Sequence, residues 1–164
     1  MRNIRLFFFV GIVLFFGGQS LYSQNKKERK EQKAKEIKEM IENGRFTIEV
    51  DRALPMGGRT VHLTTPYSLE MRGDSAISYL PYFGRAYSLP YGGDGMRFEE
   101  SITDYQSTFD KKGTARIKFV ARTKEDTFRF DMQVFSNGSA IISVTPTNRQ
   151  NITYQGELAP KKED

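Results

Sequence analysis

The side chains with the widest chemical reach are few and scattered along this chain. His62 is the single histidine and falls on the polar side of an alternating Thr60, Val61, His62, Leu63, Thr64 segment. One histidine does not make a two-histidine metal site, and a serine–histidine pair needs an orienting carboxylate that nothing nearby supplies. Glu99, Glu100 and Asp104 cluster on one predicted strand, with Glu100 and Asp104 on the face of Phe98 and Ile102. Two carboxylates suit glycoside hydrolysis only at a fixed separation through space. The ordinary explanation of these carboxylates is cross-strand pairing with Arg116, Lys118 or Arg122. The chain has no cysteine, which excludes disulfides, thiolate metal sites, a cysteine nucleophile and an N-terminal lipidated cysteine. Gly92, Gly93, Asp94 and Gly95 lack the strand-then-helix context of a dinucleotide or phosphate loop and hold too few carboxylates for calcium. The expectation is a protein without a catalytic set, a metal or a cofactor.

A different chemistry is concentrated in YLPYFGRAYSLPYGGDGMRF, residues 79–98. Tyr79, Tyr82, Phe83, Tyr87 and Tyr91 crowd together, with Pro81 and Pro90 stiffening the backbone and Arg85 adding a charge for a carboxylate or phosphate. Aromatic faces held by stiff turns stack on sugars or flat ligands at low entropic cost. These six residues, Arg85 and the five aromatics, are the candidate ligand-binding set. The competing reading is that a long connection folds its aromatics inward as a plug.

Two kinds of element position this segment. Residues 25–42 are rich in helix formers, and Ala34, Ile37, Met40 and Ile41 form a narrow apolar stripe near the C-terminal end. Gly44 is placed to end the helix. A solvated helix whose last turns dock on the domain competes here with a tether or partner-binding helix. From Phe46 onward the period becomes two: Phe46, Ile48 and Val50; Val61 and Leu63; Leu69 and Met71; Ala115, Ile117, Phe119 and Ala121; Phe128, Phe130, Met132 and Val134. Segments 139–145 and 151–157 complete the series. Lys111–Lys112–Gly113 and Asn137–Gly138 mark hairpin turns. About nine short strands with no helix between them predict an antiparallel sheet. Accumulated twist and the hazard of open edges favour a meander curled into a lipocalin-like barrel, mainly β with one N-terminal helix. An open sheet with the helix across one face is the alternative.

The N-terminus gives an address. Arg2 and Arg5 precede an unbroken run of apolar residues and glycine, residues 6–16, and a small, polar stretch follows. That is the layout of a cleaved export signal, too short for a membrane-spanning helix of about 20 residues. The expected organisation is a signal peptide over 1–23, a charged helix over 24–43, a β domain over 44–158 and a disordered tail over 159–164. Exported small proteins without cysteine point to the periplasm or cell surface of a Gram-negative bacterium. The overall charge of +5 resides mostly in the signal and the helix, leaving residues 43–160 with 14 cations against 13 anions. Such a balance gives little attraction to a phosphate backbone, which argues against nucleic acid.

The aromatic string LPYFGRAYSLPYGGDGMRF, Phe46–Thr47–Ile48, the turn and strand over 55–63, Asp104–Tyr105 and the closing NGSAIISVTPTNRQNITYQGEL together resemble a family of exported Bacteroidota proteins, domain of unknown function 4251, over about residues 40–158. The resemblance implies a lipocalin-like barrel and a cell-envelope address, and no activity. Asp74–Ser75–Ala76 resembles the acceptor pattern for O-glycosylation of exported proteins in that bacterial group, with Ser75 as acceptor in an exposed turn. The functional expectation is a non-enzymatic envelope module that binds a small amphipathic ligand. A protein-interaction or inhibitor-like module is the alternative, and a carboxylate-dependent hydrolase the remote one.

Overall fold

The computed structural model describes residues 18–87 and 95–160. Residues 1–33 and 34–164 form two separate units. Among the described residues, one helix, α1 (Gly18–Glu42), precedes eight strands: β1 (Arg45–Pro55), β2 (Val61–Arg72), β3 (Ser75–Leu80), β4 (Met96–Phe109), β5 (Ala115–Arg122), β6 (Thr127–Val134), β7 (Ser139–Pro146) and β8 (Ile152–Leu158). Each strand pairs antiparallel with the next, and β8 pairs back onto β1 to close a barrel. Eight strands are found where the alternation suggested about nine. The two segments 60–64 and 68–72 belong to one strand, β2, interrupted by a bulge where Arg52 pairs His62 but Val50 pairs Tyr67.

The export signal expected over 1–23 falls largely outside the described residues, as do residues 161–164 of the tail. Helix α1 starts at Gly18, earlier than the composition-based expectation of residue 25. Its first half carries the ion pair Lys27–Glu31 and exposes residues 26–33. Its last turns behave as the apolar stripe demands. Ile37 and Ile41 are buried in the core cluster with Met40 packed against it, and Lys38 lies over the Phe109 ring. Asn43 and Gly44 donate their backbone N–H groups to the carbonyls of Glu39 and Ile41, and Gly44 adopts a φ of 65°, the left-handed turn that stops a helix.

Period-two patterning sends one side of every strand inward. Ile48, Leu69, Met71, Leu80, Met96, Ile117, Phe119, Met132, Ile142, Ile152 and Tyr154 are almost wholly buried, and Phe119 stacks on Phe130 with centroids 4.6 Å apart. An eight-stranded barrel has an interior just wide enough for side chains to fill, and here all eight strands contribute to the filling. The outer face carries Glu49, Glu70, Arg116, Lys118, Arg122 and Arg129, all exposed or half-exposed, the inverse of the apolar band on a membrane-spanning barrel. No helix among the described residues is long and apolar enough to cross a membrane.

Closure of the barrel depends on Gly156. It faces Val50 across the β1–β8 seam, beside the β1 register shift, and a Cβ there would run into the Glu49 carbonyl oxygen. The meander places α1 and the connections 73–74, 110–114 and 135–138 at one end of the barrel, hereafter the helix end. Connections 56–60, 123–126 and 147–151 gather at the other, the loop end, with the described residues 81–87 and 95.

Candidate functional site

The loop end is organised around a buried ion pair. Asp126, in the β5–β6 turn, has no exposed side-chain surface, and Arg149, in the β7–β8 loop, has 4 %. Oδ1 of Asp126 accepts backbone N–H groups from Thr127, Thr147 and Asn148 at 2.8, 2.9 and 3.1 Å. Oδ2 receives no hydrogen bond and faces Arg149 Nε at 3.5 Å. Arg149 in turn donates from Nη1 to the Gly95 carbonyl at 2.9 Å, reaches Glu125 with Nη2 at 3.5 Å, and lies over the Tyr82 and Phe128 rings. Irregular backbone at the mouth of a barrel has polar groups that no strand pairs, and these two side chains satisfy them.

The first half of the aromatic segment is tied onto the same frame. Ala86 bridges Arg149, Tyr87 N donates to the Asn148 carbonyl at 2.8 Å, and Gln150 N donates to the Arg85 carbonyl at 2.9 Å. The Tyr82 hydroxyl donates within reach of two acceptors, the carbonyls of Gln150 at 2.8 Å and Arg85 at 3.0 Å. From the barrel floor, the Tyr154 hydroxyl donates to the Pro81 carbonyl at 2.6 Å. Burial pushes the Tyr154 phenol far above the ordinary tyrosine range, with Tyr82 adding to the shift. Burial also raises Tyr82, against a smaller opposing effect of its bond to Gln150. Both are held neutral as hydrogen-bond donors.

The expected binding residues therefore divide. Tyr82 is half-buried and works as part of a plug, as the inward-folding reading supposed. Phe83, Arg85 and Tyr87 point outward into solvent. Tyr79 lies on the outer face of β3, stacked on Tyr67 with centroids 5.3 Å apart, and Arg97 caps its ring at 4.3 Å while donating to its hydroxyl. Tyr91 and the Gly92–Gly93–Asp94 run lie outside the described residues. Ser75 opens β3 just after the Gly73–Asp74 turn. It is half-buried, and its Oγ donates to the Arg72 carbonyl at 3.4 Å.

Beside the plug lies an open cleft of about 370 Å³, lined by Gly95, Met96, Arg97, Phe98 and Glu100 of the β4 start and by residues 123–125 and Phe128 across it. It exists because the first residues of β4 pair only with β3, the β4–β5 ladder beginning at Ile102. Phe98 floors it, stacked on Phe128 with centroids 5.4 Å apart and edge-on to Phe130. Lys124, Glu100 and Glu125 supply charge at its rim. Of the expected binding residues that are described, none lines it; Tyr79 touches its wall through Arg97, and Tyr82 lies under Arg149, which holds Gly95 and Glu125 in place. Sequence spacing could not reveal it, although Phe98 and Glu100 were marked as sharing a face.

That shared face does not extend to Asp104. A register shift between Thr103 and Gln106, with Asp104 at a φ of 57°, changes the parity of β4. Glu100 lies in the cleft, whereas Asp104 stands exposed with Arg122 at 4.0 Å, the cross-strand pair expected as the ordinary alternative. His62 is exposed. Among the described residues no group of three or more His, Cys, Asp or Glu is placed to hold a metal.

Fold and site together define a small up-and-down barrel whose inward side chains form one core, with the last turns of a helix docked at one end and a cleft at the other. The chain belongs to the family described as Domain of unknown function (DUF4251), whose model matches residues 28–158. A crystal structure of a DUF4251 family protein from Bacteroides eggerthii is similar over 78 % of this chain and 87 % of that one, at 17 % identity and a TM-score of 0.62, a likeness of fold. No curated protein matches the chain.

Proposed function

We propose that the protein is a non-enzymatic binding module of the bacterial cell envelope, exported to the periplasm or cell surface, that seats a small amphipathic ligand in the loop-end cleft. One observation carries this reading: a cleft floored by the half-buried Phe98, which is backed by the buried Phe128 and has no β5 partner, and rimmed by Lys124, Glu100 and Glu125. Such a surface suits a ligand with an apolar or sugar-like face and one polar group. The buried Asp126–Arg149 pair holds the walls in fixed positions, which lowers the ordering cost of binding.

Native mass spectrometry of the protein isolated from its own envelope, before and after denaturation, tests the reading. A non-covalent adduct is expected in the wild type and in Lys111→Ala, and its loss in Phe98→Ala. A bare mass, or an adduct indifferent to Phe98, contradicts the cleft. Ser75 is the proposed glycan acceptor, and a covalent excess that survives denaturation but vanishes in Ser75→Ala is its expected signature.

A second reading, an interaction module acting through α1, draws on the full exposure of residues 26–33. Deleting residues 25–36 then abolishes association with an envelope protein while leaving the ligand adduct intact.

A further inference from the structure

The loop end carries, besides the cleft, an unusual collection of exposed apolar side chains. Among the described residues the large hydrophobic side chains left in solvent are Met56 (64 %), Tyr79, Phe83 (45 %), Tyr87 (71 %) and Tyr105. Met56, Phe83 and Tyr87 all sit in loop-end connections, and Tyr79 is the penultimate residue of β3 as it enters them. The β7–β8 loop binds the three tips into one rim. Met56 N donates to the Asn151 carbonyl at 3.2 Å, Tyr87 N to the Asn148 carbonyl at 2.8 Å, and the Arg85 carbonyl accepts from Gln150 N at 2.9 Å. These apolar groups are therefore presented together by fixed backbone.

In the described loop-end connections the exposed charge has one prevailing sign, with Glu100 the anion in the cleft beside them. In the described connections of the loop end the exposed ionic side chains are Arg59, Arg85, Lys124 and Glu125. Glu125 is partly neutralised by Arg149, and Asp126 is buried against that same guanidinium. Three cations thus stand around an aromatic and methionine cluster with one compensated anion. The described connections of the helix end are balanced, with Asp110 and Asp74 against Lys111 and Lys112, the surplus of cations at that end lying on α1.

Aromatic side chains with adjacent cations are the chemistry of a surface that settles at a membrane–water interface. Rings enter the headgroup region while arginine and lysine meet anionic headgroups. The uncompensated charges of the described loop-end connections, Arg59, Arg85 and Lys124, complement an anionic surface. We propose that the loop-end rim, through Met56, Phe83 and Tyr87 with Arg59 and Arg85, docks the barrel onto an anionic lipid leaflet, with the helix end facing away. The proposal goes beyond ligand binding in the cleft and draws on export only for access to such a leaflet.

Vesicle co-sedimentation of the purified protein tests it. Vesicles of phosphatidylcholine containing phosphatidylglycerol should pellet the wild type, and vesicles of phosphatidylcholine alone should not. Salt well above physiological strength should release it, because the Debye length shrinks to about 3 Å at 1 M. The double variant Phe83→Ala with Tyr87→Ala should fall to background, and Arg59→Ala and Arg85→Ala should each weaken partition by about fivefold. Tyr105→Ala should sediment like the wild type. All five changes are at exposed side chains, so unchanged melting temperatures distinguish lost docking from lost folding. Phe98→Ala should bind vesicles normally while losing the cleft's adduct, which separates failure of this surface from failure of the cleft. Equal binding to both vesicles, no sedimentation with either, or undiminished binding by the double variant overturns the proposal; a protein partner at this rim would give the second of these results.

Discussion

The two ends of the barrel solve the same problem with opposite chemistry. At the helix end, tight turns and the apolar stripe of α1 close the structure: Ile37 and Ile41 complete the core, and Gly44 stops the helix where the first strand begins. At the loop end the connections are longer, and their backbone is fixed by a buried Asp126–Arg149 pair and by the hydroxyls of Tyr82 and Tyr154. Apolar packing suffices where chain and cap are regular. A mouth built from irregular backbone needs polar side chains at its centre, and it leaves aromatic groups outside, where a ligand or surface can meet them.

The sharpest way to break this contrast is to remove the polar hub. Asp126→Ala strands the Arg149 guanidinium and three backbone N–H groups in a buried site, and a loss of about 3–5 kcal/mol is expected in denaturant unfolding. A loss below about 1 kcal/mol would mean that the loop end does not depend on its polar core. The counterpart at the helix end is Ile41→Ala, with an expected loss of about 2–3 kcal/mol from transfer and cavity terms, partly relieved by movement of the helix terminus. If the two ends are stabilised independently, the double variant's loss equals the sum of the singles.

Tyr154→Phe isolates a single bond of the loop end. Removing the hydroxyl leaves the Pro81 carbonyl without that donor and should cost about 1–2 kcal/mol. The same residue sets an alkaline limit. Its folded-state pKa is raised by burial, so the folded protein holds a proton that the unfolded chain releases near pH 10. The stabilisation is complete below that pH and declines as pH rises above it. Unfolding measured at increasing alkaline pH should show this slope in the wild type and a shallower one in Tyr154→Phe. The smallest effect is expected at Lys111, an exposed turn residue at the helix end, where replacement by alanine should change stability by less than about 0.5 kcal/mol.

Much of the helix end was legible in the sequence, because its signals are local. The spacing of Ile37 and Ile41, the position of Gly44, and the turns at Lys111–Lys112–Gly113 and Asn137–Gly138 each lie within a few residues of the structure they specify. Alternation likewise revealed the inward faces of β5 and β6 residue by residue. The loop end was harder to read because its determinants are distant in sequence. Asp126 and Arg149 are separated by most of a hairpin, and nothing in either neighbourhood announces a buried pair. Composition marked Tyr82, Phe83 and Tyr87 alike, and the contacts of Tyr82 with Gln150 and Arg149, both distant in sequence, distinguish the tyrosine that plugs from the rings that protrude. The extra residue in β4 also escaped period counting: a bulge reverses which side chains share a face, so Glu100 and Asp104 part company.

The most direct test of the proposed division between the two ends is amide hydrogen exchange on the protein as isolated from its source cells, compared with the same protein after any non-covalent adduct has been stripped. Slower exchange in the ligand-bearing form at residues 81–87, 95–100 and 123–126, with residues 34–44 and 110–114 unchanged, is the result this account requires. Protection at the helix end, or no difference between the two forms, would contradict it.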